Sequence, residues 1–126
     1  MDLVKKNEYM KRAFLLEDDI DAAILIEKVL NGLSYEVVVR NSYKEAFELL
    51  SKENLFDLIF WDYNLKDGYS LDLFGSFKLD HIPKKVLSSA YLNDETISLA
   101  HRLGIDICLK KPIDPIKIKM AVSGKN

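Results

Sequence analysis

Five short runs of apolar and β-branched residues punctuate this chain, each followed by an amphipathic stretch. They are Ala13–Leu16, Tyr35–Val39, Leu58–Trp61, Val86–Ser88 and Ile107–Leu109. Such runs, without polar alternation, are the mark of strands buried on both faces, and a helix after each argues for a parallel sheet covered on both sides. The pattern predicts a three-layer αβα sandwich around a five-stranded parallel sheet of order 2-1-3-4-5, with the strand order reversing between strands 1 and 3. In an open sheet of this kind the carboxyl ends of the strands share one edge, and ligands bind in the crevice at the reversal.

The helices read from periodicity and caps. Ile24, Leu25, Val29 and Leu30 mark one face of a first helix, stopped at Asn31-Gly32. Ser42 with Glu45 forms a capping box ahead of Ala46, Phe47, Leu49 and Leu50. Segments 70–79 and 94–103 fit two further helices, and 116–122 a short last one. The reading divides the chain into an N-terminal extension over 1–11, one globular domain over 12–123 and a tail over 124–126.

Four of the runs end at residues suited to chemistry: Glu17 and Asp18, Asp62, Ser89, and Lys111. Singly, each has an ordinary explanation as a helix start, a turn or a surface lysine. Jointly, they would meet at one sheet edge as three carboxylates, a hydroxyl and an ammonium. Two carboxylates ~4 Å apart repel by ~4 kcal/mol at an effective dielectric near 20, so such a cluster calls for a cation. Oxygen-only ligands in small number suit Mg²⁺, which keeps waters and completes its shell with phosphate. His81 and His101 are isolated, so zinc spacing is absent. Lys111 and Ser89 can stabilise the oxygens of a phosphoryl group in transfer, and Asp62, at the central strand end, is the candidate nucleophile.

Composition narrows the remaining classes. With 126 residues, 48% hydrophobic and 30% charged, the chain suits one soluble domain. A net charge of −2 gives no general attraction for nucleic acid or anionic lipid. No apolar stretch approaches the ~20 residues of a membrane span. The lone Cys108 excludes an internal disulfide and fits a reducing cytoplasm, where it is expected as a buried structural thiol.

These residues resemble the receiver domain of two-component response regulators, from about Lys11 to Ala121. The likeness rests on Leu15-Leu16-Glu17-Asp18-Asp19, on the acceptor segment from Asp57 to Gly68, on Ser89-Ala90, and on Leu109-Lys110-Lys111-Pro112-Ile113. It implies a flavodoxin-like fold, a phosphoacceptor at Asp62, and Mg²⁺ held by Glu17, Asp18, Asp62 and the main-chain carbonyl of Asn64. It also implies that Ser89 and Lys111 contact phosphoryl oxygens and that the Lys111-Pro112 bond is cis. The phosphoryl donor would be a sensor histidine kinase or a histidine phosphotransfer protein, and the reader of the switch a downstream protein. The only catalysis implied is of the domain's own phosphorylation and dephosphorylation.

Three positions depart from, or add to, the family pattern. Lys66 replaces the usual proline, which implies a looser loop after the acceptor. Cys108 replaces the usual Tyr or Phe, so no ring is there to couple Ser89 to the output surface. Tyr91, two residues past Ser89, is placed to cover the acceptor. No helix-turn-helix, second catalytic domain or linker follows Val122, so no output of its own is expected in these residues. The competing readings are a phosphorylation-independent interaction module of the same fold and an aspartyl-phosphate hydrolase. The hydrolase would need a second acid two residues past the nucleophile, where Asn64 stands.

Overall fold

The computed structural model describes residues 10–123. Its sheet contains β1 (Lys11–Leu16), β2 (Tyr35–Arg40), β3 (Leu58–Asp62), β4 (Lys84–Ser89) and β5 (Ile107–Lys110). All neighbours are parallel, in the order β2-β1-β3-β4-β5. The expected fold and strand order are therefore observed. All five residues of the central strand β3 are buried, which accounts for its lack of alternation.

Among the described residues the α-helices are α1 (Ile20–Gly32), α2 (Tyr43–Lys52), α3 (Asp94–Arg102) and α4 (Pro115–Ser123). Helices α1 and α4 cover one sheet face, over a core of Ala13, Leu15, Leu58, Phe60 and Val86 with Ile26, Leu30 and Ile118. The other core joins Phe14, Leu16, Ile59, Trp61 and Leu87 to Leu49 and Leu50 of α2 and Ala100 of α3. There Trp61 meets Phe14 edge-on at 5.5 Å and Phe74 at 5.8 Å, geometries that favour aromatic pairs. This packing fixes the strand that carries Asp62.

Several boundaries and faces differ from the sequence reading. Lys11 already belongs to β1, so the strand reaches into the expected extension. The rest of that call, over residues 1–9, and the tail over 124–126 lie outside the described residues. On α1 the buried positions are Ala23, Ile26 and Leu30, while Ile24 and Leu25 point outward at 46% and 38% exposure. Spacing of three and four from Ala23 selects that face, and a small residue suits its close approach to the sheet. Segment 70–79 forms a 3₁₀ helix only over Ser70–Gly75. Gly75 costs about 1 kcal/mol inside an α-helix, and Asp72, Ser70 and Ser76 are weak helix formers, so burial of Leu71, Leu73 and Leu79 is met by a shorter, tighter turn.

Leu87→Ala removes a fully buried side chain from a central strand and is expected to lower unfolding stability by about 2–5 kcal/mol. Leu55→Ala, at a site 74% exposed, should stay within about 0.5 kcal/mol of wild type. Urea denaturation of both variants checks the pair.

Candidate phosphoryl-acceptor site

Strand register builds the site. Leu16 lies beside Trp61, Trp61 beside Leu87, Asp62 beside Ser88, and Ser89 beside Lys110. Residues scattered over nearly a hundred positions thus leave the sheet in one row. The Glu17 N–H donates to Arg40 O at 3.1 Å and the Asn41 side-chain amide to Glu17 O at 2.9 Å, anchoring the chain as it leaves β1. Asp19 caps α1 by accepting from the Ala22 N–H at 3.0 Å.

The carboxylates of Glu17, Asp18 and Asp62 converge, with one oxygen from each lying within 4.8 Å of the others. Glu17 and Asp62 are buried, at 1% and 4% exposure. Lys111 Nζ bridges them, 3.1 Å from Asp62 Oδ2 and 3.1 and 3.2 Å from the two Glu17 oxygens. Among the described residues it is the one cation in ion-pair contact with this cluster. Its peptide bond to Pro112 is cis, as expected.

One ammonium does not balance three carboxylates. Burial above all, then the Glu17 charge, pushes the Asp62 carboxyl up to about 7, although Lys111 pulls the other way. Burial works against the Lys111 ammonium, but Asp62 and Glu17 outweigh it and hold its pKa above the ordinary lysine value. Glu17 Oε1 is buried without an aligned hydrogen-bond donor; Lys111 is close enough to attract it but not positioned to satisfy it. A buried, unsatisfied carboxylate oxygen beside two further carboxylates fits a hard divalent cation.

Ser89 is fully buried at the end of β4. Its Oγ donates to Tyr91 O at 2.8 Å and accepts from the Tyr91 N–H at 3.1 Å, so the hydroxyl is engaged with the following loop. Tyr91 itself is 80% exposed. Asn64 opens a small hairpin pairing Asn64–Leu65 with Gly68–Tyr69. Cys108 is half-buried, less enclosed than expected, and burial still pushes its thiol pKa up, as for an unreactive group.

The loop after Asp62, expected to be loose, is held by hydrogen bonds. The Lys66 N–H donates to Asp18 Oδ2 at 2.9 Å. The Asp67 carboxylate accepts from the Tyr43 and Lys44 N–H groups at 2.8 and 3.1 Å, at the start of α2. Those bonds, Tyr43 foremost, hold the Asp67 carboxyl below its usual range. A Cβ at Gly68 would stand 3.0 Å from the Tyr43 ring, so the hairpin lies directly on that helix start. The Asp67 tie was hidden in the sequence because a carboxylate cap offered from another loop leaves no local spacing.

A family model described as the response regulator receiver domain matches residues 13–123. The transcriptional regulatory protein CrdR of Helicobacter pylori is 36% identical over 106 residues, 82% of this chain and 49% of that protein. ZraR of Escherichia coli, likewise a transcriptional regulatory protein, is 28% identical over 79% of this chain and 23% of its own length. The chain thus spans about half or less of these curated relatives. The CheY-like receiver domain of Methanospirillum hungatei superposes with a TM-score of 0.80 at 23% identity, covering 90% of this chain and 91% of that one. A Burkholderia pseudomallei response regulator, solved with a phosphorylated aspartic acid, calcium ion and citrate, gives 0.77 at 24% identity over 89% and 66% of the two chains.

Two outcomes follow from these charges. Because the Asp62 carboxyl is raised from 3.8 to about 7 in the folded state, stability is lost as pH rises from the lower value to the higher, and the loss is complete above about 7. Asp62→Asn is therefore expected to stabilise the metal-free protein at pH 8, by about 1–3 kcal/mol, with the gain shrinking toward pH 6. For Asp67 the sign is opposite: its stabilisation holds at neutral pH and fades as pH falls below the ordinary carboxyl value of 3.8. Urea melts across pH, with Asp67→Asn beside Asp62→Asn, separate the two.

Proposed function

The chain belongs to the response regulator receiver domains, and from that membership we propose that it accepts a phosphoryl group on Asp62 and acts as a phosphorylation-driven switch. The observation that carries the reading is the Lys111 ammonium set between Glu17 and Asp62 while Asp18 completes the acidic cluster. That arrangement combines a nucleophile, a fixed positive charge and ligands for a hard cation in one pocket. The phosphorylated aspartic acid and metal ion in the Burkholderia relative support it by analogy.

In the proposed reaction an Asp62 carboxylate oxygen attacks the phosphorus of a phosphohistidine on a sensor histidine kinase or phosphotransfer protein. The P–N bond breaks as the O–P bond of an acyl phosphate forms, and the departing imidazole nitrogen keeps the electron pair and takes a proton from water. Lys111 stabilises negative charge on the transferring oxygens. Glu17, Asp18, Asp62 and the Asn64 carbonyl would hold Mg²⁺, which when bound neutralises charge shared between the carboxylates and the phosphoryl oxygens. Ser89 donates to a phosphoryl oxygen after turning away from Tyr91 O. Releasing that carbonyl frees the loop ahead of α3, whose cap is Asn93, and gives a route for the signal that needs no aromatic ring at Cys108. Catalysis is confined to the domain's own phosphorylation and dephosphorylation, and the output is read by a downstream protein.

Acetyl phosphate with Mg²⁺ is expected to add one phosphoryl group, seen by intact mass. Asp62→Asn should abolish the addition, and Lys111→Ala should slow it on the order of a hundredfold. Wild type that stays unmodified would count against the reading, and phosphate-independent partner binding by Asp62→Asn would favour a purely structural interaction module.

A further inference from the structure

We propose that the main-chain N–H of Lys66 is a positioning group for Asp18, fixing the orientation in which that carboxylate meets a divalent cation. The inference rests on the metal-binding role proposed above and concerns a contact that a proline at this position would lack, since proline has no N–H to donate.

The Lys66 N–H reaches Asp18 Oδ2 at 2.9 Å, across 48 positions of sequence. Among the described residues it is the one hydrogen bond made to the Asp18 carboxylate. A carboxylate has about four acceptor sites, so this bond leaves room for a cation while setting the plane of the group. Such supporting hydrogen bonds to metal ligands typically change metal affinity 10–100-fold when lost.

The donor is itself held on a firm support. Asp67, the next residue, accepts from the Tyr43 and Lys44 N–H groups. Ser42 caps the same helix start through the Glu45 N–H at 3.1 Å, and the Glu45 carboxylate accepts from the Asn41 N–H at 3.0 Å. Asn41 then returns to the site by donating its side-chain amide to Glu17 O. The path runs Asp18, Lys66, Asp67, the first turn of α2, Asn41 and Glu17, closing a ring of hydrogen bonds around the acidic pair. The Lys66 side chain is exposed and outside this ring, so the backbone carries the role.

The test titrates MgCl₂ alone, with the fluorescence of Trp61, the single tryptophan and the neighbour of Asp62, as the signal. Lys66→Ala and Lys66→Pro both remove the ammonium, and only proline removes the N–H. Lys66→Ala is expected to keep the wild-type dissociation constant and Lys66→Pro to raise it about tenfold. Equal constants for the two variants would overturn the proposal. Because proline also restricts the backbone, the wild-type Lys66 amide is followed by NMR hydrogen exchange. Protection that persists when MgCl₂ is added supports the role, and exchange as fast as a free amide in the Mg²⁺-bound protein overturns it. A wild type with no saturable response to MgCl₂ would instead overturn the metal site, and this role with it.

Discussion

The site depends on one ammonium shared by two buried carboxylates. Lys111 Nζ lies 3.1 Å from both Glu17 and Asp62, and without it either carboxylate would be a buried charge with no cation in contact among the described residues. Even so, the balance is incomplete. Asp18 adds a third negative group, burial and the Glu17 charge push the Asp62 carboxyl up to about 7, and Glu17 Oε1 lacks a donor. A pocket held short of neutrality is suited to taking up positive charge, and then a group whose own charge that cation can share.

The sheet tolerates this strain because it invests its packing directly beneath it. Trp61, Phe14, Leu16 and Leu87 are fully or almost fully buried, and they lie just below the row that carries Glu17, Asp62 and Ser88. Strand positions there cannot shift without disturbing the aromatic contacts of Trp61. Above it the two loops differ: Ser89 is bonded only within its own loop, to Tyr91, whereas the hairpin after Asp62 is tied to Asp18 and α2. A rigid floor with one loop left untied suits a site whose surroundings must rearrange.

Much of this was legible in the residues. Leu58–Trp61 could only be a strand buried on both faces, and the carboxylates, Ser89 and Lys111 were placed at one edge by the parallel order that such runs demand. The errors have physical causes. Ile24 and Leu25 are as apolar as Ile26, so hydrophobicity did not reveal which face α1 buries; packing against the sheet chose Ala23 and Ile26. The 70–79 segment has apolar spacing compatible with either helix type, and Gly75 decided for the tighter one. Lys66 was expected to loosen its loop by not being proline, whereas its consequence lies in a main-chain N–H that no side-chain pattern displays.

An acidic cluster held at a cost that a divalent cation offsets must gain stability when the cation binds. The most direct measurement is unfolding stability at pH 8 against Mg²⁺ concentration, for wild type and for a Glu17→Gln/Asp18→Asn double variant. Wild type should gain stability as RT ln(1 + [Mg²⁺]/Kd), about 1.4 kcal/mol at ten times Kd, while the double variant starts more stable and does not respond. A wild type indifferent to Mg²⁺, or a double variant that responds equally, would show that these carboxylates do not hold the cation.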